Sequence, residues 1–171
     1  MVHDDPRADV LALPAVRESL ALVAKAGLPF DVPDAFPRHL GQVARLAEEL
    51  PELTLVLDHL GKPPRGGTSE QMAAWERQLR AVAARPNTVA KLSGLHCAGV
   101  EYSAPALGRV WDIALDAFGP QRLMFGGDWP VSLLGGSYRR TFDVAAALIG
   151  TLSPAEAHAI WAVTSRRTYK R

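Results

Sequence analysis

Apolar residues recur along the chain in two alternating rhythms. Val16, Leu20 and Val23 fall on one face of a helix that Pro14 opens and Gly27 stops. Leu28-Pro29-Phe30-Asp31-Val32 is short and strand-like, and Pro33 and Pro37 bracket a loop. From Pro37 a second helix carries Leu40, Val43, Leu46 and Leu50 until Pro51 ends it. Leu53-Thr54-Leu55-Val56-Leu57 is a continuous, β-branched strand running into Asp58-His59-Leu60-Gly61-Lys62-Pro63-Pro64. Thr68 and Gln71 form a capping box before a helix with Met72, Trp75, Leu79 and Val82 on one stripe, which Pro86-Asn87 closes. Val89-Ala90-Lys91-Leu92-Ser93 is a further strand. Ser103 and Pro105 start a helix with Leu107, Val110, Trp111, Ala114 and Phe118 inward, and Gly119-Pro120 stops it. The apolar run after Arg122, which ends in Gly126-Gly127, is the fourth strand and delivers Asp128 at its C-terminal end. A helix follows over about Tyr138 to Ile149, and Ser153-Pro154-Ala155-Glu156 opens the last one, with Ile160, Trp161 and Thr164 on one side. Four strands thus alternate with helices at intervals of roughly 25–35 residues, the rhythm of parallel βαβ units. The class is α/β, and no linker divides residues 1–171, so one domain is expected.

Composition narrows the partners. A net charge of +1 over 171 residues gives no electrostatic case for nucleic acid or for an anionic membrane. No apolar run is long enough to span a bilayer. Met1-Val2-His3-Asp4-Asp5-Pro6 is polar and acidic, unlike a targeting peptide, and the cytoplasm is the expected location. The single cysteine, Cys97, excludes an internal disulfide framework and a Cys-rich zinc site, and is read as packing. His3, His39, His96 and His158 have no metal-type spacing among themselves.

The chemistry gathers at strand ends. Asp58-His59, Ser93 and Asp128 each end an apolar strand, and in a parallel sheet all such ends lie at one edge, where α/β barrels and open sheets place their sites. Asp128 follows Gly126-Gly127, which leave room for a ligand or for close backbone approach. His59 can serve as acid, base or metal ligand because imidazole titrates near neutrality. A lone histidine after a strand is commonly structural; with Asp128 at the same rim the functional reading is taken. Lys62 either neutralises an anionic substrate or is a solvated loop lysine in a segment stiffened by Gly61 and two prolines. No Walker lysine motif and no Gly-x-Ser-x-Gly elbow is present.

Leu55-Val56-Leu57-Asp58-His59-Leu60-Gly61-Lys62-Pro63 resembles a signature of the amidohydrolase-related family, in the branch of sugar lactonases, such as fuconolactonase, and pyrone-dicarboxylate lactonase. Ala90-Lys91-Leu92-Ser93-Gly94-Leu95 and the stretch from Phe118 to Val131, with Gly126-Gly127-Asp128-Trp129-Pro130 near its end, resemble the same family in the right order. The resemblance implies a distorted TIM barrel that hydrolyses ester or amide bonds. It implies Asp128 as general base toward water and His59 beside the scissile carbonyl, with Lys62, Ser93 and Trp129 as substrate-binding candidates. Some relatives hold a divalent ion such as zinc or manganese, for which Asp128 and His59 would be ligands; lactonases of this branch include metal-independent members, and both alternatives stand. The substrate implied is a small lactone or carboxylate. The sequence also departs from the family. A complete barrel takes about 250 residues, and the four strands here correspond to the last four of eight. The family's N-terminal His-x-His pair is absent, the Pro-His stretch is shifted to Phe36-Pro37-Arg38-His39, Gly127 replaces the usual serine and Thr164 a usual asparagine.

Two functions follow: a lactone hydrolase using Asp-assisted attack of water, or a catalytically impaired, N-terminally truncated half-barrel persisting as an oligomer. A third, a small doubly wound binding domain, requires a Gly-rich phosphate turn after the first strand, and Val32-Pro33-Asp34 is not one. A half-barrel leaves two sheet edges and an inward face without its opposite half. That face is expected to be apolar and open to water, and the chain to self-associate, most simply as a twofold dimer, or else to aggregate.

Overall fold

A computed structural model of the chain describes residues 5–169. The reading of the N-terminus as a non-targeting segment, and that of His3, fall mainly on residues 1–4, outside the described residues. Six main helical stretches and four strands follow one another: α1 (Pro14–Lys25), β1 (Phe30–Val32), α2 (Leu40–Glu49), β2 (Leu55–Leu57), α3 (Ser69–Ala83), β3 (Thr88–Leu92), α4 (Ala104–Phe118), β4 (Leu123–Phe125), α5 (Tyr138–Ile149) and a final stretch beginning with α6 (Pro154–His158). The final stretch passes through a π-helical turn, Ala159–Val163, into α7 (Thr164–Thr168). The expected caps are in place, with reciprocal boxes at Thr68/Gln71 and Ser153/Glu156 and a serine N-cap at Ser103.

All four strands are parallel and lie in chain order, β1-β2-β3-β4. This is the arrangement of half a (β/α)8 barrel. One face of the sheet carries Val32, Leu55, Leu57, Ala90, Leu92 and Leu123, which pack with the apolar stripes of the helices in one core. Leu46 of α2, Trp75 and Leu79 of α3 and Leu107 of α4 are all but inaccessible there. Such burial, at about 25 cal/mol per Å² of apolar area, is what holds helices onto the sheet.

The alternation of strand side chains puts Asp31, Val56, Val89, Lys91 and Met124 on the opposite, inward face. Contrary to expectation, this face is not an uncovered apolar layer. Val56, Val89 and Met124 form a small separate cluster with exposures of 0%, 6% and 1%. Beside them stand Lys91 and Asp31, and Tyr169 returns from the far end of the chain to donate its hydroxyl to Asp31.

Two element bounds also differ from expectation. α2 starts at Leu40 rather than Pro37, because the preceding segment turns back to β2: the Phe36 N–H donates to Gly61 O at 2.8 Å. β2 is shorter than Leu53–Leu57, since Leu53 N–H bonds back to Leu50 O at 3.0 Å. No helix is long and apolar enough to cross a membrane among the described residues.

Candidate active site

β2 ends in a tight left-handed turn. His59 (φ 55°), Leu60 (φ 52°) and Lys62 (φ 64°) all adopt positive φ, a conformation that L-residues hold only where their surroundings impose it. The surroundings are visible: Leu60 is buried, its carbonyl accepts from Trp75 Nε1–H at 2.8 Å, and Gly61 O holds Phe36. Asp128, three residues past the end of β4, is also left-handed at φ 50°. The ladder continues past β4 through Gly126 N–H to Leu92 O at 3.1 Å. A Cβ at Gly126 would meet Ser93 Cβ at 2.9 Å, so the glycine serves a close approach of the two strand ends.

These turns bring His59, Ser93 and Asp128 together at one rim. His59 Nδ1 and Ser93 Oγ are 2.9 Å apart, and His59 Nε2 stands 3.7 Å from Asp128 Oδ1. The imidazole is thus held through one nitrogen, while the other faces a carboxylate beyond hydrogen-bond distance. Both side chains are mostly buried, at 18% and 14% exposure, yet line a cavity of about 730 Å³ together with Asp31, Asp34, Asp58, Lys62, Lys91, Ser93 and Val131. Lys62 Nζ lies 3.5 Å from Asp34 Oδ1 and donates to Gly94 O at 3.4 Å. Trp129 turns outward, 70% exposed, and is not among the residues lining this cavity.

The floor of the cavity carries groups that sequence reasoning passed over. Lys91 Nζ bonds Asp31 and lies 2.6 Å from Asp58 Oδ1. Burial opposes its charge, but the hydrogen bond to Asp31 and the close oxygens of Asp58 and Tyr169 prevail and hold the ammonium above the ordinary lysine range. Burial likewise raises the Asp58 carboxyl against the pull of Lys91, and raises the Tyr169 phenol together with its bond to Asp31. The available signal was alternation: Lys91 and Asp31 are charged residues at inward positions of otherwise apolar strands.

A second cavity of about 480 Å³ adjoins the first, sharing Lys62, Asp128 and Val131. His96 lines it, stacked on Tyr102 at 3.7 Å and 3.2 Å from Thr141 Oγ1. Burial, and then Arg140, lower its pKa. His39 is buried at the start of α2 and His158 is exposed, so neither joins the rim. Cys97 is exposed rather than packed. Thr164 is buried and donates to Gln121 O at 3.0 Å, tying α7 to the approach of β4.

A catalytic zinc takes about three protein ligands. His59 and Asp128 supply two, and no group of three His, Cys, Asp or Glu side chains converges for a metal among the described residues. The donors among the described residues therefore do not complete a metal site.

Comparison with known proteins gives a consistent picture. The amidohydrolase family model matches residues 1–171. An L-fucono-1,5-lactonase of Burkholderia multivorans (strain ATCC 17616 / 249) is 42% identical over 150 residues, covering 78% of this chain and 49% of that protein. An L-fucono-1,5-lactonase of Burkholderia ambifaria is 38% identical over 142 residues, covering 81% and 46%. A crystal structure of an amidohydrolase from Burkholderia multivorans with bound zinc superposes with a TM-score of 0.86 at 34% identity, covering 97% of this chain and 61% of that one. The chain spans about half the length of the curated relatives it matches.

Proposed function

The chain belongs to the amidohydrolase family, and from that premise we propose that it acts as a hydrolase on a lactone, the cyclic ester of a sugar acid or related carboxylic acid. Residues 1–171 are read as one domain, the C-terminal half of the family's barrel. The observation that carries the reading is the facing pair of His59 Nε2 and Asp128 Oδ1 over a cavity large enough for a small ligand. Such a pair can act on the two sides of one carbonyl.

In this reading a water lies against Asp128. As its oxygen attacks the lactone carbonyl carbon, the Asp128 carboxylate accepts the proton. Ser93 Oγ–H donates to His59 Nδ1, which fixes the ring with its proton on Nε2, where it donates to the developing oxyanion. Collapse of the tetrahedral intermediate breaks the ring C–O bond, and Asp128 returns its proton to the leaving alkoxide. The product is an open hydroxy acid; its carboxyl group loses its proton to solvent, and Lys62 lines the same cavity as a partner for the resulting carboxylate. Trp129, though outward, stands beside Asp128 and is retained as a contact for the exposed end of a substrate. Because the donor set falls short of three, no step is routed through an ion.

The same shortfall favours the second reading, a half-barrel with impaired catalysis that persists as an oligomer. A screen of sugar lactones, L-fucono-1,5-lactone included, on the purified chain with and without zinc or manganese separates the two. Ring opening above the spontaneous rate supports the hydrolase. No opening of any lactone under either condition supports the remnant.

A further inference from the structure

The charged floor of the cavity has no part in the scheme above, yet it is built across three strands. Lys91 stands on β3, two residues before Ser93 and on the same face. Its ammonium reaches Asp31 on β1 and Asp58 at the end of β2. Tyr169 closes the group from above the lysine, its ring centroid 5.3 Å from Nζ and its hydroxyl donating to Asp31. With two carboxylates and an aromatic face around it, the ammonium is engaged by the protein rather than presented to a substrate. Asp58 is the residue immediately before His59, where the chain enters its left-handed turn. Leu60 is held from the other side by Trp75. The His59 peptide is therefore gripped at both neighbours, by an ion pair before it and a hydrogen bond after it.

We propose that Lys91 is the positioning residue of this site: by clamping Asp58 to the cavity floor it holds the left-handed His59 with Nδ1 on Ser93 and Nε2 toward Asp128. A mostly buried ion pair suits this task, because breaking it leaves a carboxylate without compensation and the strand end moves to rehydrate it. The proposal rests on the reading that His59 works through a fixed ring. Its test needs no turnover, so an inactive chain would defeat the lactonase reading and leave this one open to decision.

The test is the side-chain 15N spectrum of His59 in the histidine-labelled chain, recorded at alkaline pH. The unsubstituted chain should show one dominant tautomer, with the proton on Nε2. Lys91→Met should replace it with signals averaged between tautomers, and Lys91→Arg, which restores the charge, should recover most of the original pattern. Should Lys91→Met fail to fold, Lys91→Met with Asp58→Asn removes both charges of the pair while keeping the shapes close. In the folded double variant the averaged pattern is again expected. A folded Lys91→Met chain, or a folded double variant, that keeps the original His59 spectrum would overturn the proposal.

Discussion

A methyl group on Gly94 would lie 2.2 Å from Nδ1 of His59, and the residue's φ of +55° disfavours a side chain in any case. Gly94→Ala should therefore push the His59 imidazole off Ser93 while leaving the chemical identity of His59, Ser93 and Asp128 unchanged. Misplacement of a catalytic group by about 1 Å is worth roughly 10²-fold in rate, and a drop of that order in lactone turnover is expected; full turnover would show that the ring position does not matter. Ser93→Ala should act more gently, freeing the tautomer while leaving the ring in place. The pairing of Ser93 with His59 could be anticipated, because both follow an apolar strand and parallel strands share one C-terminal edge. Asp128 could be anticipated for the same reason. Lys91 and Asp31 were hidden by the same logic: each sits inside a strand, and strand reading weighs the apolar residues around it. Tyr169 approaches Asp31 across 138 residues of sequence, a distance no local pattern spans. The outward turn of Trp129 depends on the path of the loop after Asp128, which motif reading does not fix.

Elements were legible where side chains close their own backbone. Thr68, Ser103 and Ser153 announce helices that start where their hydroxyls say they should. The start of α2 was not, because it is set by a hydrogen bond to Gly61, from a different part of the chain. The π-helical turn Ala159–Val163 has no capping residue or proline to mark it. One side chain joins the elements more than its neighbours do. Asn87 Nδ2 lies at 3.1, 3.1 and 2.9 Å from the carbonyls of Ala47, Leu50 and Leu53, linking the end of α2 to the starts of β2 and β3. Asn87→Ala leaves these partly buried acceptors short of a donor, which costs about 1–3 kcal/mol. Denaturant unfolding should show a loss of that size with an unchanged slope; a loss under a few tenths of a kcal/mol would mean that water replaces the amide. Trp75→Phe removes the donor to Leu60 O while keeping most of the volume, and should destabilise the chain and loosen the His59 turn together.

For the molecule as a whole, β1 and β4 are edges of a four-stranded parallel sheet, and parallel strands are usually covered on every side. The inward face is covered in part by its own charged cluster and Tyr169. A larger apolar exposure lies beside β4, where Trp129, Val131, Leu133 and Leu134 stand in solvent, Leu134 at 90%. Self-association is proposed through this loop and the adjacent edge, and light scattering after size exclusion should find the chain larger than a monomer at micromolar concentration. Leu134→Lys should shift it toward monomer; a stable monomer before substitution would remove the argument. The parallel sense of the strands and the single site edge could be read from the spacing of apolar segments, and their chain order from the resemblance to a barrel family, whereas what covers the inward face could not, since charged residues from several strands and the far end of the chain contribute to it. The central claim, that the Asp128–His59 pair opens a lactone ring with Asp128 as base, is tested most directly by the rate of L-fucono-1,5-lactone opening with the chain and with its Asp128→Asn variant, each with and without zinc or manganese. Asparagine preserves the shape but cannot accept the proton from water, so the account predicts enzymatic opening that falls by about 10²–10⁴-fold in the folded variant. Opening by Asp128→Asn at the rate of the unsubstituted chain would contradict it.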